Sequence, residues 1–388
     1  MKIFLTLLAG AAIVVVAVVL TQTPTPQAAT PAARPNRLQD NVSALQDRLR
    51  RVPGDSAGWA QLGASYVELA RVTADSTYYG KAQGALERSL SVKPDGNGPA
   101  MIGMGALANA RHDFTTAKDW ALKAKAVLPS TAEVYGVLAD ALTQLGDDAG
   151  AADAVQRMLD LRPNVAAFTR ASYHFELHGQ DAGAKDTMEL ALRSATSPDE
   201  IAFCRYYLGE LAFNAGNVDS AADEYDQGLT ASPQDPALHQ GKAKVAAAHG
   251  QIDAALDGYR EVVARAPLPQ YLLEYAELLR KAGKDAEADQ QFALIAQQQR
   301  LLEAQGATDD LSASLIAADH GDKAEALRRA QAEWSRRQSV FVADAMAWAL
   351  HVNGRDAEAL PYADKAVSLG WHNPTVVRHR AAILAGAR

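Results

Sequence analysis

The sequence contains little cysteine, few aromatic residues and no excess of basic residues, and each shortage excludes a class of protein. Cys204 is the only cysteine among 388 residues, so no internal disulfide can form. Aromatic residues make up 6% of the chain, which suits closely paired helices better than a thick globular core. The formal net charge is -8 and no Lys/Arg stripe is present, which argues against a nucleic-acid-binding surface.

The common motifs of catalysis and cofactor binding are also missing. The chain has no nucleophile elbow, no phosphate loop and no dinucleotide glycine fingerprint. His174 and His178 have the i, i+4 spacing of a helical metal site, but they lack a third ligand and a Glu in the metalloprotease position. Other residues of a type that suits zinc, without that spacing, are Asp319, His320, Asp344, His351 and His379. The sequence therefore predicts no catalytic residue, no cofactor and no metal site.

A repeat of 34 residues dominates the rest of the chain. Two successive copies carry Gly216, Ala221, Tyr225 and Pro233, then Gly250, Ala255, Tyr259 and Pro267. On both sides of the glycine, apolar residues recur at i, i+3, i+4 and i+7, which predicts two amphipathic helices in each unit. The glycine suits the sharp turn between the helices, and the proline ends the unit. A fixed period of this length indicates a solenoid.

The pattern resembles the tetratricopeptide repeat family, whose signature combines an aromatic residue, Leu-Gly, Tyr, a turn Gly, Ala and a closing Pro. The match is closest at Trp59, Leu62, Gly63 and Tyr66, which open the first full unit. The resemblance implies an all-α fold, a right-handed superhelical solenoid of antiparallel helix pairs. We count about nine repeats over residues 55–373, the eighth being the least regular. Helices over residues 38–54 and 374–388 are expected to cap the two ends.

The N-terminal residues predict a membrane segment. Residues 3–20 carry no charge and span roughly 27 Å as a helix, close to the thickness of a bilayer core. Lys2 supplies the positive flank, so we expect a cytoplasmic N-terminus and an array on the other side of the membrane. Cleavage of residues 1–20 as a signal peptide, followed by secretion, is the alternative. Residues 21–37, rich in Pro, Thr and Ala, are expected to form a disordered stalk.

The resemblance implies that a partner protein or peptide binds to the concave face of the array. First-helix residues that the repeat register places near that face are Tyr173, Glu176, Phe203, Tyr206, Glu210, Phe213, Lys244, Glu277, Trp348 and His351. Aromatic rings supply contact area in such a groove, and a few charges orient the ligand. For several of these rings the alternative is packing between units.

The chain as a whole indicates a scaffold or assembly factor of the bacterial envelope. Its C-terminal part, residues 317–374, looks similar to the end of exported, membrane-anchored actinobacterial tetratricopeptide proteins without an assigned activity. Two alternatives stay open at this stage. One is a hydrolase or metal-dependent enzyme that uses the C-terminal His and Asp residues, and the other is a self-associating structural protein of the envelope. The repeat pattern alone does not identify the partner.

Overall fold

The computed structural model describes residues 34–387, and this part of the chain consists of helices and connecting turns without a β-strand. The helices are α1 (Arg34–Arg51), α2 (Ser56–Thr73), α3 (Thr77–Val92), α4 (Gly98–Ala110), α5 (Phe114–Val127), α6 (Ala132–Leu145), α7 (Asp148–Leu161), α8 (Val165–Leu177), α9 (Asp181–Ser194), α10 (Pro198–Asn214), α11 (Val218–Ala231), α12 (Pro236–Ala248), α13 (Ile252–Arg265), α14 (Pro269–Lys281), α15 (Asp285–Ala304), α16 (Asp310–His320), α17 (Lys323–Arg336), α18 (Val340–Val352), α19 (Asp356–Ala366) and α20 (Pro374–Gly386).

Within residues 34–387, helices α2 to α19 form nine consecutive pairs, each packed most closely against its own partner. The single helices α1 and α20 cover the two ends. The prediction of an all-helical array of about nine units is therefore confirmed, including the irregular eighth unit formed by α16 and α17. The handedness of the superhelix stays a prediction.

Contact between successive units depends on large side chains that fit against glycines. The ring of Tyr225 on α11 is fully buried between Gly209 on α10 and Gly241 on α12. A Cβ atom on Gly241 would lie 2.7 Å from that ring, and one on Gly209 would be closer still. The ring therefore joins its own pair to the next pair, and only a residue without Cβ fits on either side.

The turn between the two helices of a pair needs a left-handed residue. Gly216 and Gly250 have φ values of +82° and +77°, which glycine adopts without steric cost. The amide of Asn217 donates to the carbonyl of Ala212 at 2.9 Å, which closes the end of α10. The prediction that these glycines form the sharp turn between the two helices of a unit is confirmed.

The array curls back until its C-terminal units touch the N-terminal ones. Three of the loops that join the two helices of a pair contact three loops that follow later pairs. The contacts have the same order along the chain on both sides. The amide of Thr308 donates to the carbonyl of Arg111 at 3.2 Å, and Ser339 packs against Gly146. In the third contact, a Cβ atom on Gly370 would lie 2.9 Å from the carbonyl oxygen of His178. Each contact joins residues more than 190 positions apart, so successive turns of the superhelix lie against each other.

Side chains reinforce this closure. The buried guanidinium of Arg337 donates to the carbonyl of Gln144 at 3.3 Å and also to its side-chain oxygen. Its centre lies 4.6 Å from the ring of Phe114 on α5, which adds a cation–π contact. Glu333 balances the charge of Arg337. Because these groups are buried and paired, the contact between turns is a packed interface.

The predicted membrane segment, residues 1–20, lies outside the described residues, as do residues 21–33 of the predicted stalk. The last four stalk residues, 34–37, form the start of α1, so the capping helix begins earlier than the predicted residue 38. None of the helices over residues 34–387 combines the length and the apolar composition that crossing a membrane requires.

We predict that Gly209→Ala destabilises the array, because the new methyl group overlaps the buried ring of Tyr225, which has no space to move. The expected loss is about 1–3 kcal/mol in the free energy of unfolding, seen as a lower urea midpoint. The control is Gly84→Ala on α3, where a Cβ would meet no atom within 4 Å. That change should leave the midpoint unchanged or raise it by up to about 1 kcal/mol. Equal midpoints for the two variants would contradict the packing described for Tyr225.

Candidate functional site

The first helices of adjacent units carry a row of hydrogen-bonded polar side chains on the concave side. The Tyr206 hydroxyl donates to Gln240 Oε1 at 3.2 Å. Gln240 Nε2 then donates to Glu274 Oε2 at 2.5 Å. The three residues are spaced by 34 positions, so equivalent places in three successive units are joined.

A second row lies beside the first. Lys244 Nζ contacts both carboxylate oxygens of Glu210, at 2.5 and 2.6 Å. The hydroxyl of Tyr225 donates to Glu210 at 2.7 Å, and the hydroxyl of Tyr259 donates to Glu274 at 2.9 Å. Tyr206, Glu210 and Lys244 were predicted to line the groove. The structure shows that Glu210 and Lys244 bond to each other, whereas the Tyr206 hydroxyl bonds to Gln240.

Two of the predicted groove residues are buried. Phe213 is 5% exposed and belongs to the core between α10 and α12, while Lys244 is 6% exposed with its ammonium group 4.5 Å from the Phe213 ring. A ring covered in this way has no surface to offer a partner. Phe213 therefore supports the concave face from beneath, which corrects its assignment as a lining residue.

The closure of the array covers another predicted residue. The ring of Tyr173 on α8 stacks on Phe341 of α18 at 6.3 Å between centroids, within an apolar cluster that includes Leu177 and Trp371. Tyr173 therefore contributes to the contact between superhelical turns. Phe203 is half-buried and contacts the ring of Tyr207 at 4.6 Å.

Three further residues that were predicted to line the groove, Glu277, Trp348 and His351, lie in the C-terminal units. Glu277 accepts from His320 at 3.0 Å, with only 8% of its side chain exposed. The ring of Trp348 stacks between His379, at 4.0 Å, and His351, at 4.8 Å.

The C-terminal His and Asp residues do not converge on one point. His379 pairs with the buried Asp344 at 3.0 Å, and His351 pairs with Asp356. His320 bonds to Glu277, while Asp319 accepts from the indole nitrogen of Trp348. Each histidine thus has its own carboxylate partner, and these residues supply no shared site for a metal or a substrate.

Arg71 lies on the side of α2 that is near two tyrosines of later units. Arg71 on α2 pairs with Glu68, with nitrogen–oxygen distances of 2.9 and 2.7 Å. Burial lowers the pKa of Arg71, but Glu68 and the nearby Tyr207 and Tyr271 raise it on balance above its ordinary value. Tyr207 and Tyr271 belong to α10 and α14, so these helices face α2 across the concave side. The Arg71 side chain is still 40% exposed, which shows that water reaches this space.

An open cleft of about 310 Å³ lies where the C-terminal connection approaches α8 to α11. Its apolar lining consists of the half-buried Leu211, Ala212 and Pro374 and of the buried Leu208 and Trp371 beneath them, among others. Its charged lining residues are Glu176, Asp181, Lys185 and Glu224, with the imidazole of His372 beside them. Glu176 is the one predicted groove residue that lines this cleft.

Sequence reasoning missed the other lining residues because they come from separate parts of the chain. Trp371 and His372 lie about 190 positions after Asp181, and only the closure of the array brings them together. His372 Nε2 bonds to Asp181 Oδ2 at 3.0 Å across this junction. The repeat period carries no signal for such a contact.

Two carboxyl groups of the concave face hold their protons unusually tightly. Burial raises the pKa of Glu176 to about 7, with Glu210 and Asp181 acting in the same direction and His372 opposing them. Burial also raises the pKa of Glu274 to about 7, although Lys244 lowers it. Near neutral pH both groups change charge readily.

A group of three potential metal ligands lies away from the cleft. Asp148, His174 and His178 each direct one ligand atom to a common point, and these atoms lie within 4.8 Å of one another. Among residues 34–387 this is the only such group of three or more His, Cys, Asp or Glu residues. Asp148 is the third ligand that the histidine pair lacked in the sequence. It was missed because it belongs to the preceding helix.

Comparison with known proteins supports the family resemblance. Residues 104–166 and 187–236 match the family model described as tetratricopeptide repeat. No curated protein sequence matches the chain.

Several solved structures have similar helical arrangements at low sequence identity. Yeast Tom70 is 13% identical, with 91% of this chain and 86% of that chain covered and a TM-score of 0.45. A thermophilic TPR protein of Thermus thermophilus is 20% identical, with 50% and 98% covered and a TM-score of 0.42. Pseudomonas aeruginosa pilF is 16% identical, with 59% and 99% covered and a TM-score of 0.41.

The matched stretches contain α5, α6, α7, α10 and α11 completely, and therefore the whole pairs α6–α7 and α10–α11. Sequence match and helix pairing agree there on the same repeat unit. The chain is therefore similar to tetratricopeptide repeats over these two stretches, in agreement with the repeat pattern in the sequence.

Proposed function

We propose that the protein is a non-enzymatic interaction scaffold that holds a partner polypeptide at the cleft beside α10. The observation that carries this proposal is the cleft itself, which combines apolar surface with several carboxylates on a repeat array. Helical repeat proteins of this type generally act as scaffolds for protein interactions. Its volume of about 310 Å³ lies at the lower end of the range of about 300–1,000 Å³ for ligand pockets, so it suits a few side chains of a larger partner.

The lining indicates the chemistry of that partner. The half-buried Leu211, Ala212 and Pro374 offer apolar surface for aliphatic or aromatic side chains. The lining has three carboxyl groups and the single ammonium group of Lys185. Of the three, Glu224 is paired with Arg205 at 2.6 Å and Asp181 bonds to His372 at 3.0 Å. A segment with one basic residue next to apolar residues would satisfy both features, because the carboxyl groups orient the cation while the apolar surface supplies contact area.

The alternative of a metal-dependent enzyme at the C-terminal histidines gains no support from the structure. His320, His351 and His379 each bond to a different carboxylate, and each of these pairs contributes to packing between helices. Self-association is a separate candidate for the same cleft, because a second copy of the chain is also a polypeptide partner. The crosslinking experiment below distinguishes it from binding of another protein.

The proposal extends to location. A scaffold or assembly factor of the bacterial envelope, tethered by residues 1–20 with its array outside the cytoplasmic membrane, accounts for the charge-free run of residues 3–20. Secretion after cleavage of that segment would place the array on the same side. The support for this part of the proposal comes from the sequence of residues 1–20.

We predict that a photo-crosslinking residue at position 211 captures a polypeptide in the native cell. Leu211 lines the cleft, whereas Leu190 on α9 is 41% exposed and lies outside it, so position 190 serves as the control. Glu176→Lys should reduce the yield about ten-fold, because it places a positive charge where the cation of the proposed partner would lie. Glu261→Lys, on an exposed part of α13, should not.

The mass of the crosslinked product identifies the partner. A product that contains a second protein supports a scaffold, and a product with the mass of two copies of this chain supports self-association. Equal labelling from positions 211 and 190 would show that the cleft is not the binding site.

We predict that Glu176→Gln gains stability relative to the wild type as the pH rises. The folded pKa of Glu176, about 7, lies above the ordinary value of 4.5. The folded state therefore binds the proton more tightly, and its stability falls as pH rises from about 4.5 through about 7. The variant lacks this ionisation, so its advantage in the free energy of unfolding should grow by on the order of 2 kcal/mol between pH 5 and pH 8.

Urea denaturation at the two pH values measures this effect. Glu261→Gln, whose side chain is 72% exposed, is the control and should follow the wild type at both pH values. If Glu176→Gln and the wild type keep the same difference in midpoint from pH 5 to pH 8, the assignment of a raised pKa to Glu176 is wrong.

We predict that alkaline phosphatase fused after residue 388 is active in bacterial cells. The enzyme needs disulfides that form outside the cytoplasm, so activity reports export of the array. Removal of residues 1–33 should abolish the activity while the fusion protein still accumulates. An active fusion without residues 1–33, or an inactive full-length fusion, would refute the proposed location.

A further inference from the structure

Asp148, His174 and His178 meet at the junction between two adjacent units. Asp148 is the first residue of α7, and the histidines lie one turn apart at the end of α8. His178 Nε2 is 3.1 Å from Asp148 Oδ2, and His174 Nδ1 is 3.9 Å from Asp148 Oδ1. All three side chains are half-buried, so their ligand atoms are held by the helices and are still reached by water.

The hydrogen bonding of His178 fixes which ring nitrogen is available. Its Nδ1 lies 2.7 Å from the carbonyl oxygen of His174, and a carbonyl can only accept, so Nδ1 carries a proton. In neutral His178, Nε2 therefore presents a lone pair to the Asp148 carboxylate, which also only accepts. Two acceptors this close need a cation between them, either a proton or a metal ion. A backbone carbonyl that orients a histidine through its other nitrogen is typical of metal ligands.

The distances suit a metal ion. Two ligands that share a tetrahedral zinc ion, each about 2.1 Å from the metal, lie about 3.4 Å apart. His178 lies 3.1 Å from Oδ2 of Asp148 and His174 lies 3.9 Å from Oδ1, on either side of this value, and one ligand atom from each of the three residues lies within 4.8 Å of the others. Two imidazoles and one carboxylate form a set that binds zinc and related divalent ions.

We propose that Asp148, His174 and His178 bind a divalent transition-metal ion of the zinc type, with at least one coordination position open to water. The ion would join the second helix of one unit to the first helix of the next. It would also lie beside Gly179, the turn that packs against Gly370 in the later superhelical turn. Bound metal would therefore stabilise the folded array, because the complete ligand set exists only when α7 and α8 are packed.

The chain contains a matched control for this site. Two units later, His249 occupies the position equivalent to His178. Its Nε2 lies 3.3 Å from Oδ1 of Asp219, which stands one place further into its helix than Asp148 does. Val245 stands where His174 would be, so that pair lacks a third ligand. The two places share a His–Asp pair and differ in the residue that completes the site.

The test uses the full chain, stripped of metal with a chelator and titrated with zinc in competition with a chromophoric chelator. We expect one zinc ion per chain and a rise in thermal midpoint when zinc is added. His178→Ala should weaken zinc binding at least about ten-fold and abolish the rise. His249→Ala should behave as the wild type in both measurements.

A second variant and a spectroscopic measurement distinguish loss of a metal ligand from loss of the folded state. His174→Gln keeps a polar side chain of similar length, and its circular dichroism should match that of the wild type while zinc binding is weakened. Cobalt in place of zinc should give the visible absorption of a histidine-ligated ion in the wild type and not in His174→Gln. Zinc binding of equal strength in wild type and His178→Ala, or no stoichiometric binding at micromolar zinc, would overturn the proposal.

Discussion

The structure depends on the close approach of adjacent helix pairs, which a large ring on one helix and glycines on its neighbours make possible. A single pair of amphipathic helices cannot bury its own apolar face, so each unit is stable only against the next. Tyr225, held between Gly209 and Gly241, shows how this works at one junction. Because every junction adds a small rotation, the same packing that stabilises the units also curls the array until its turns meet.

Closure decides which residues a partner can reach. It covers Tyr173 with Phe341, and it brings Trp371 to the cleft that Glu176 lines. The polar rows on the concave side are likewise internally satisfied, since Lys244 neutralises Glu210. The polar side chains that a partner can reach on this face are therefore concentrated where the two turns of the superhelix meet.

The helix pairs were predictable from the sequence because their signal is local. Apolar spacing, turn glycines and closing prolines repeat within each unit, and the nine pairs follow from them. The site was less predictable, because it depends on contacts such as that between Gln144 and Arg337, 193 residues apart. Register placed Phe213 on the right helix, but burial beneath Lys244 depends on the curvature of the neighbouring units. The sequence did not identify Asp148 as a third potential ligand beside His178 for a similar reason, since it lies 30 residues away on another helix.

The contacts between superhelical turns also affect how the molecule responds to mechanical force. A solenoid whose turns do not touch extends like a spring, with the load shared among flexible junctions. Here the bonds of Arg337 to Gln144 and of Thr308 to Arg111 connect one coil to the next. Tension applied at the two ends must break these connections before the coils can separate. The array should therefore resist extension until the applied force breaks these contacts, and extend readily once they are broken.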